Sequence, residues 1–393
     1  MKEIVNFDKL IDRRGTSCLK YDFAALRGMP EDVLPFWVAD MDFQTPEPVR
    51  EELMRRVAHG IFGYTDIKED YCETLAAWLK KRHGFEPDMG KLVLTPGVVF
   101  AICTAIRAFT EKGDAVLICP PVYYPFSSAV ESNGRTLVES PLIEKDGHYE
   151  IDFEDFEQKI NRHNVKLFLL CSPHNPVGRV WTREELSRIA DICLEHRVTV
   201  LADEIHHDFV YPGHKHTVFA TLSTETDNTA VTCVSPSKTF NMAGLQISHV
   251  FIKNDKLRRR FSQELFNAGY SQPNALGIFA AKAAYGFGEA WLTELLAYLY
   301  ENVRRTRAFL QRKLPKVRLI EPEGTYLLWL DFSAYGLSDE EMDDIIIHKG
   351  KLWLDSGHIF GTGGGGFQRI NIACPWSVLE EGLSRLADCF GYL

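Results

Sequence analysis

An amine set close to two hydroxyls can combine aldehyde chemistry with phosphate binding. Lys238 has that setting in SPSKTFNMAGL, residues 235–245, with Ser235 and Ser237 before it and a glycine-containing turn after it. The amine can condense with an aldehyde, while the hydroxyls and nearby backbone N–H groups can bind phosphate oxygens. Taken alone, the same string also describes a solvated turn. Asp203, in LADEIHHDF, closes an apolar run. A carboxylate buried there needs a partner, and a protonated pyridine nitrogen would serve, leaving the ring electron-poor. A helix N-cap is the other role open to it. Asn175, in SPHNPVGRVWTREEL, either shapes the Asn-Pro turn or donates its amide to a ring hydroxyl. Gly97, in LTPGVVFAI, ends a strand and opens a helix, so the N–H groups of Val98 and Val99 can face an anion. Tyr123, in PPVYYPF, can stack on a ring or simply pack in the core. Tyr64, in IFGYTD, can donate to a phosphate. Arg369, in FQRINIACP, lies in an apolar segment and needs an anion, either a substrate carboxylate gripped bidentately or a structural salt bridge. The run GTGGGG at 361–366 lacks the GK[ST] ending of a P-loop and reads as a mobile loop near Arg369.

Strand-to-helix turns must position these groups. Helical periodicity starts after Pro46 and Pro48 and runs through Val57, and a second helix spans Glu69 to His83, ending at Gly84. Strand-length apolar runs follow at 92–94, 115–119, 167–171, 199–202, 230–235 and 250–252, separated by helical segments such as 98–110 and 183–196. Near-continuous apolar strands alternating with helices predict an α/β fold with a mostly parallel sheet covered by helices. Ligands in such sheets lie at the carboxyl ends of the strands, which is where Asn175, Asp203 and Lys238 fall. Thr182 and Glu185 form a capping box for the helix that follows the Asn175 turn. A long helix is expected over 289–312, then a smaller α+β part with a strand over 325–332. The division predicted is an arm, 1–45, that joins the small domain, a large domain, 46–288, and a small C-terminal domain, 289–393.

The bulk composition narrows the class. With 393 residues, 45% hydrophobic and 25% charged, the chain suits a globular protein of more than one domain. A formal net charge of −10 argues against nucleic acid, and the basic run Lys256–Arg260 reads as a solvated helix face. Nine cysteines without a CxxC pair fit reduced thiols and argue against a metal site. The polar N-terminus reads as no signal peptide, and no apolar run approaches the roughly 20 residues a membrane span needs, so a cytoplasmic protein is expected.

In order, NPVGR, DEIHHD, SPSKTFNMAGL and RINIACP resemble the signature of fold type I pyridoxal-phosphate enzymes, the aspartate aminotransferase superfamily, from about residue 30 to the C-terminus. Within it, FWVADMDF (36–43), HGIFGYTD (59–66), PHNPVGRVWTREEL (173–186), DEIHHDF (203–209) and the region from DSGHIFGTGGGGF to RINIACP resemble the C–S lyase branch, the cystathionine β-lyases. The resemblance implies a large domain with a seven-stranded sheet, pyridoxal 5'-phosphate as cofactor, and a homodimer with shared active sites. It implies that Lys238 holds the cofactor and moves protons at the substrate Cα, with Tyr123 and Tyr64 as further catalytic residues. Asp203 would pair with the pyridine nitrogen, Asn175 would bond the ring hydroxyl and Tyr123 would stack on the ring. Val98, Val99, Ser235 and Ser237 would cup the phosphate, joined by Tyr64 from the neighbouring subunit, while Arg369, Ala39 and Asn175 would bind substrate. In two places this chain departs from the aminotransferases of that superfamily. His206 stands where they usually carry Tyr, beside the ring oxygen, and Gln246 where they usually carry Arg or Lys, so the phosphate must gather charge elsewhere. Both departures fit the lyase branch.

The expected activity is β-elimination on a sulfur amino acid such as L-cystathionine or L-cystine, giving a thiol, pyruvate and ammonia. The alternative enzyme is an aminotransferase, which shares the Cα deprotonation. A cofactor-bound regulatory protein is a further alternative, although every expected catalytic position is filled.

Overall fold

Seven strands build the central sheet of the computed structural model, which describes residues 5–392. They are β1 (Leu92–Thr95), β2 (Ala115–Ile118), β3 (Thr136–Glu139), β4 (Leu167–Cys171), β5 (Thr199–Asp203), β6 (Ala230–Val234) and β7 (Ser248–Phe251), in the spatial order β1-β7-β6-β5-β4-β2-β3. Only β7 runs antiparallel to its neighbours. The alternation of side chains to two buried faces explains why the central strand β4 is apolar throughout. Leu167, Leu169 and Cys171 enter one core with α3 (Val98–Phe109), while Phe168 and Leu170 enter the core on the other face. The expected mostly parallel, helix-covered sheet is therefore present. The strand expected at 230–235 ends at Val234, because Ser235 has left the ladder to cap a helical turn, and the one expected at 250–252 runs over Ser248–Phe251.

The arm is held by ion pairs rather than by a strand of useful length. Arg13 forks onto Asp40, at 3.0 and 2.6 Å, and also reaches Asp42 at 2.8 Å. Lys20, buried, meets the other oxygen of Asp42 at 2.8 Å, with the Tyr21 hydroxyl at 3.1 Å. Farther on, Leu34–Pro35 pairs in parallel with Leu352–Trp353. The first four residues of the expected arm lie outside the described residues.

Helices α1 (Glu47–His59) and α2 (Glu69–His83) precede β1, and each ends at a glycine with positive φ, Gly60 and Gly84. Helix Glu289–Lys313 leads to a four-stranded antiparallel sheet of β8 (Arg318–Ile320), β9 (Leu327–Asp331), β10 (Asp355–Ser356) and β11 (Phe367–Asn371), in the order β8-β9-β11-β10. The glycine run expected to be mobile is tied down instead. Gly364 N–H donates to Gly361 O, Thr362 bonds Glu139, and a Cβ on Gly357 would lie 2.0 Å from Gly364 O. Small residues are needed here because two backbones touch.

Candidate active site

Four strand ends supply the site. Asp203 is the last residue of β5, and the register sets it directly opposite Cys171 of β4 and Cys233 of β6. After β6, Ser235 caps the helical turn Pro236–Thr239, which carries Lys238. After β4 comes the loop holding Asn175, and after β1 the chain turns at Gly97 into α3. These ends enclose a cavity of about 440 Å³, a size suited to a cofactor.

Lys238 Nζ donates to the Ala39 carbonyl at 2.6 Å, and the Tyr326 hydroxyl donates to that same oxygen at 2.9 Å. Burial pulls the amine down, reinforced by Arg369 and opposed by Asp40 and Asp203, to about 8. At physiological pH a useful minority of the lysine is therefore uncharged and able to act as a base or nucleophile, far more than for an ordinary lysine. Asp203 is buried, and its Oδ1 accepts the Ile205 N–H at 3.1 Å. Burial raises it to about 7 against that bond and against Lys238. His206 is buried beside it with Nδ1 unpaired, and burial holds its ring neutral, aided by the charges of Lys238 and Arg369.

Arg369 lies opposite Asp355 across β10 and β11. Its Nη1 donates to Asn175 Oδ1 at 3.0 Å, and its Nη2 donates to the Trp37 carbonyl at 2.8 Å and to Asp355. Nε is buried without a partner.

Of the residues expected from sequence, Lys238, Asp203, Asn175, His206, Val98, Val99, Tyr123, Ser237 and Ala39 line the cavity together. Three do not. Ser235 points inward, its hydroxyl spent on the Ile247 carbonyl at 2.7 Å and on Ser237. Arg369 is buried behind the wall that Asn175 forms. Tyr64 is 96% exposed and lies among Phe62, Tyr270 and Asn274, at a different surface depression. Sequence reasoning missed Tyr326 and Asp355. Tyr326 lies just before β9 and Asp355 opens the two-residue β10, and only their partners across the fold, the Ala39 carbonyl and Arg369, show what they face. Gln246 lines the cavity, at positive φ after a 3-10 turn.

Pyridoxal phosphate suits this cavity on four counts. Asp203 is a buried carboxylate able to pair with a ring nitrogen, and His206 keeps a buried ring nitrogen unpaired. The first-turn N–H groups of α3 have no intrahelical acceptor and can take phosphate oxygens. Lys238 supplies the amine that an aldehyde requires.

The family model for aminotransferases of class I and II matches residues 31–386. The chain is 47% identical over 382 residues to the cystathionine β-lyase PatB of Bacillus subtilis, covering 97% of this chain and 99% of that one. Among solved structures, cystalysin from Treponema denticola, which contains a pyridoxal 5'-phosphate cofactor, superposes with a TM-score of 0.95 at 38% identity, covering 98% of both chains. The pyridoxal-phosphate-bound C–S lyase of Staphylococcus hominis follows with a TM-score of 0.92 at 35% identity, again over 98% of both.

Proposed function

We propose that this chain, which belongs to the class I and II aminotransferase family, is a pyridoxal-phosphate-dependent carbon–sulfur lyase that breaks the Cβ–S bond of cysteine S-conjugates, L-cystathionine among them. One conjugate, R–S–CH2–CH(NH3+)–COO−, and one water give the thiol R–SH, pyruvate and ammonium. The structural observation that carries the reading is a lysine amine of lowered basicity sharing one cavity with a buried aspartate. Near full-length similarity to a cystathionine β-lyase and to the structure of a C–S lyase directs that chemistry toward elimination.

Bound here, the cofactor supplies an aldehyde that joins amines and a ring that accepts the electron pair left at Cα. Lys238 Nζ takes the Cα proton, a role its lowered basicity permits. Asp203 would keep the ring nitrogen protonated, and the N–H groups of Val98 and Val99 with the Ser237 hydroxyl would hold the phosphate. Asn175 and His206 would be the groups available to the ring hydroxyl and Tyr123 an aromatic wall for the ring, all three lining the cavity. Arg369 and the Ala39 backbone orient the substrate carboxylate. The thiolate leaves without strong acid assistance, since thiols ionise near pH 8.5. Dimerisation with Tyr64 reaching the neighbouring site is part of the same reading, supported by the exposure of Ile61, Phe62 and Tyr64 in one stretch.

The test is to mix holoenzyme with L-cystathionine and no 2-oxo acid, following pyruvate and thiol. Continuing, equal release of both is expected. An aminotransferase, the second reading that the family match favours, would release neither and would transfer the amino group once a 2-oxo acid is added. Lys238→Ala should remove the visible absorbance of the bound cofactor and nearly all turnover.

A further inference from the structure

The donors of Arg369 are unevenly used. A guanidinium grips a carboxylate bidentately through two neighbouring N–H groups, either Nε with Nη2 or Nη1 with Nη2, so Nη2 belongs to both grips. Here both hydrogens of Nη2 are taken, one by the Trp37 carbonyl and one by Asp355. Nε has no partner, and Nη1 gives one bond, to Asn175. Asp355 is buried at 6% exposure, and cross-strand register holds it directly opposite Arg369. Its own strand is fixed in turn by the glycine contact that follows, where Gly357 meets Gly364 and Phe367.

We propose that Asp355 is a resident counter-ion of Arg369, occupying the donor that an amino-acid carboxylate must take, and that it therefore sets the affinity and selectivity of the carboxylate subsite. The proposal rests on the reading that Arg369 receives the substrate carboxylate. In the resting pocket the guanidinium is already neutralised, so a bare monocarboxylate gains little by entering. A substrate amino acid gains more, because its amine is joined to the cofactor at the same time and the second contact is intramolecular. The device thus discriminates against simple carboxylates, including the 2-oxo acid that the proposed reaction itself releases. Without Asp355, Arg369 would be a buried cation held by neutral acceptors but lacking a counter-ion, and any small carboxylate would relieve it.

Propionate is the probe, since it offers a carboxylate without an amine. Its inhibition constant against thiol release and the rise it causes in the holoenzyme's unfolding midpoint are measured for the wild type, Asp355→Asn, Asp355→Ser and Arg369→Lys. In either neutral variant of Asp355 propionate should bind about tenfold more tightly, equivalent to about 1.4 kcal/mol. It should also raise the midpoint further than in the wild type, a readout that does not depend on turnover. Serine is included because it is smaller than asparagine and keeps a hydroxyl for Arg369 should the asparagine variant fold poorly. Unchanged or weaker propionate binding in the Asp355 variants, with binding lost in Arg369→Lys, overturns the counter-ion role and leaves the Arg369 reading standing. Propionate binding that is indifferent to Arg369→Lys overturns both.

Discussion

At the scale of single residues, Asp203 is the group on which the proposed cofactor binding makes its clearest pH prediction. Its carboxyl, raised to about 7 by burial, is costly to ionise in the protein without a cation beside it. Because the folded value lies above the ordinary 3.8, this group's stabilising share is complete below pH 4 and is lost as the pH rises through 7. A protonated ring nitrogen would reverse that loss. The gain in unfolding midpoint on loading with pyridoxal phosphate should therefore be larger at pH 8 than at pH 5.5, as scanning calorimetry can measure. In Asp203→Asn the difference between the two pH values should shrink. Lys238 acts in the same window. With its amine lowered to about 8, recombination of apoprotein with the cofactor should speed up as the pH rises and level off above about 8, followed by absorbance in stopped flow.

Between elements, a buried carboxylate behind the cavity joins parts of the chain that are distant in sequence. Asp208 accepts Arg82 Nε at 2.7 Å and His83 Nε2 at 3.0 Å, both from the last turn of α2, and Thr239 Oγ1 at 2.8 Å from the turn that carries Lys238. Burial works against a charge on His207, but Asp208 and Glu204 outweigh it and hold that imidazole above its ordinary value. Removing the hub strands Arg82 and His207. Asp208→Ala should cost about 3–5 kcal/mol in urea unfolding of the holoenzyme, and Thr239→Val about 1 kcal/mol. None of this network was legible in the sequence, although DEIHHD was read as a motif, because its partners come from α2 and from the turn after β6. What was legible depended on local signals. The apolar run at Leu167–Cys171 is a strand, and Thr182 with Glu185 forms the expected capping box. Ser235 was legible as a hydroxyl beside the lysine but not in its direction, which capping the helical turn decides. Tyr326 and Ala39 meet across 287 positions, a contact that no spacing rule could supply.

For the molecule as a whole, the proposed shared site turns on Tyr64, whose ring is 96% exposed on the single chain and flanked by exposed Ile61 and Phe62. If Tyr64 completes the neighbour's site, a hybrid of one Lys238→Ala protomer and one Tyr64→Ala protomer contains one site with both residues intact. Mixed refolding of the two variants should then recover turnover that neither has alone. A Tyr64 acting within its own chain would give no recovery. Another whole-molecule consequence starts from a pair of rings. Trp37 and Trp353 lie face to face, with centroids 4.3 Å apart and planes 16° from parallel, and the carbonyl of Trp37 is one that Arg369 grips. Indoles stacked so closely are coupled in the excited state, and Arg27 lies over one of them at 5.1 Å. The proposed carboxylate subsite is thereby wired to an intrinsic optical gauge. Occupancy of Arg369 should register as a change in tryptophan emission without any added dye, and Trp353→Phe should silence it.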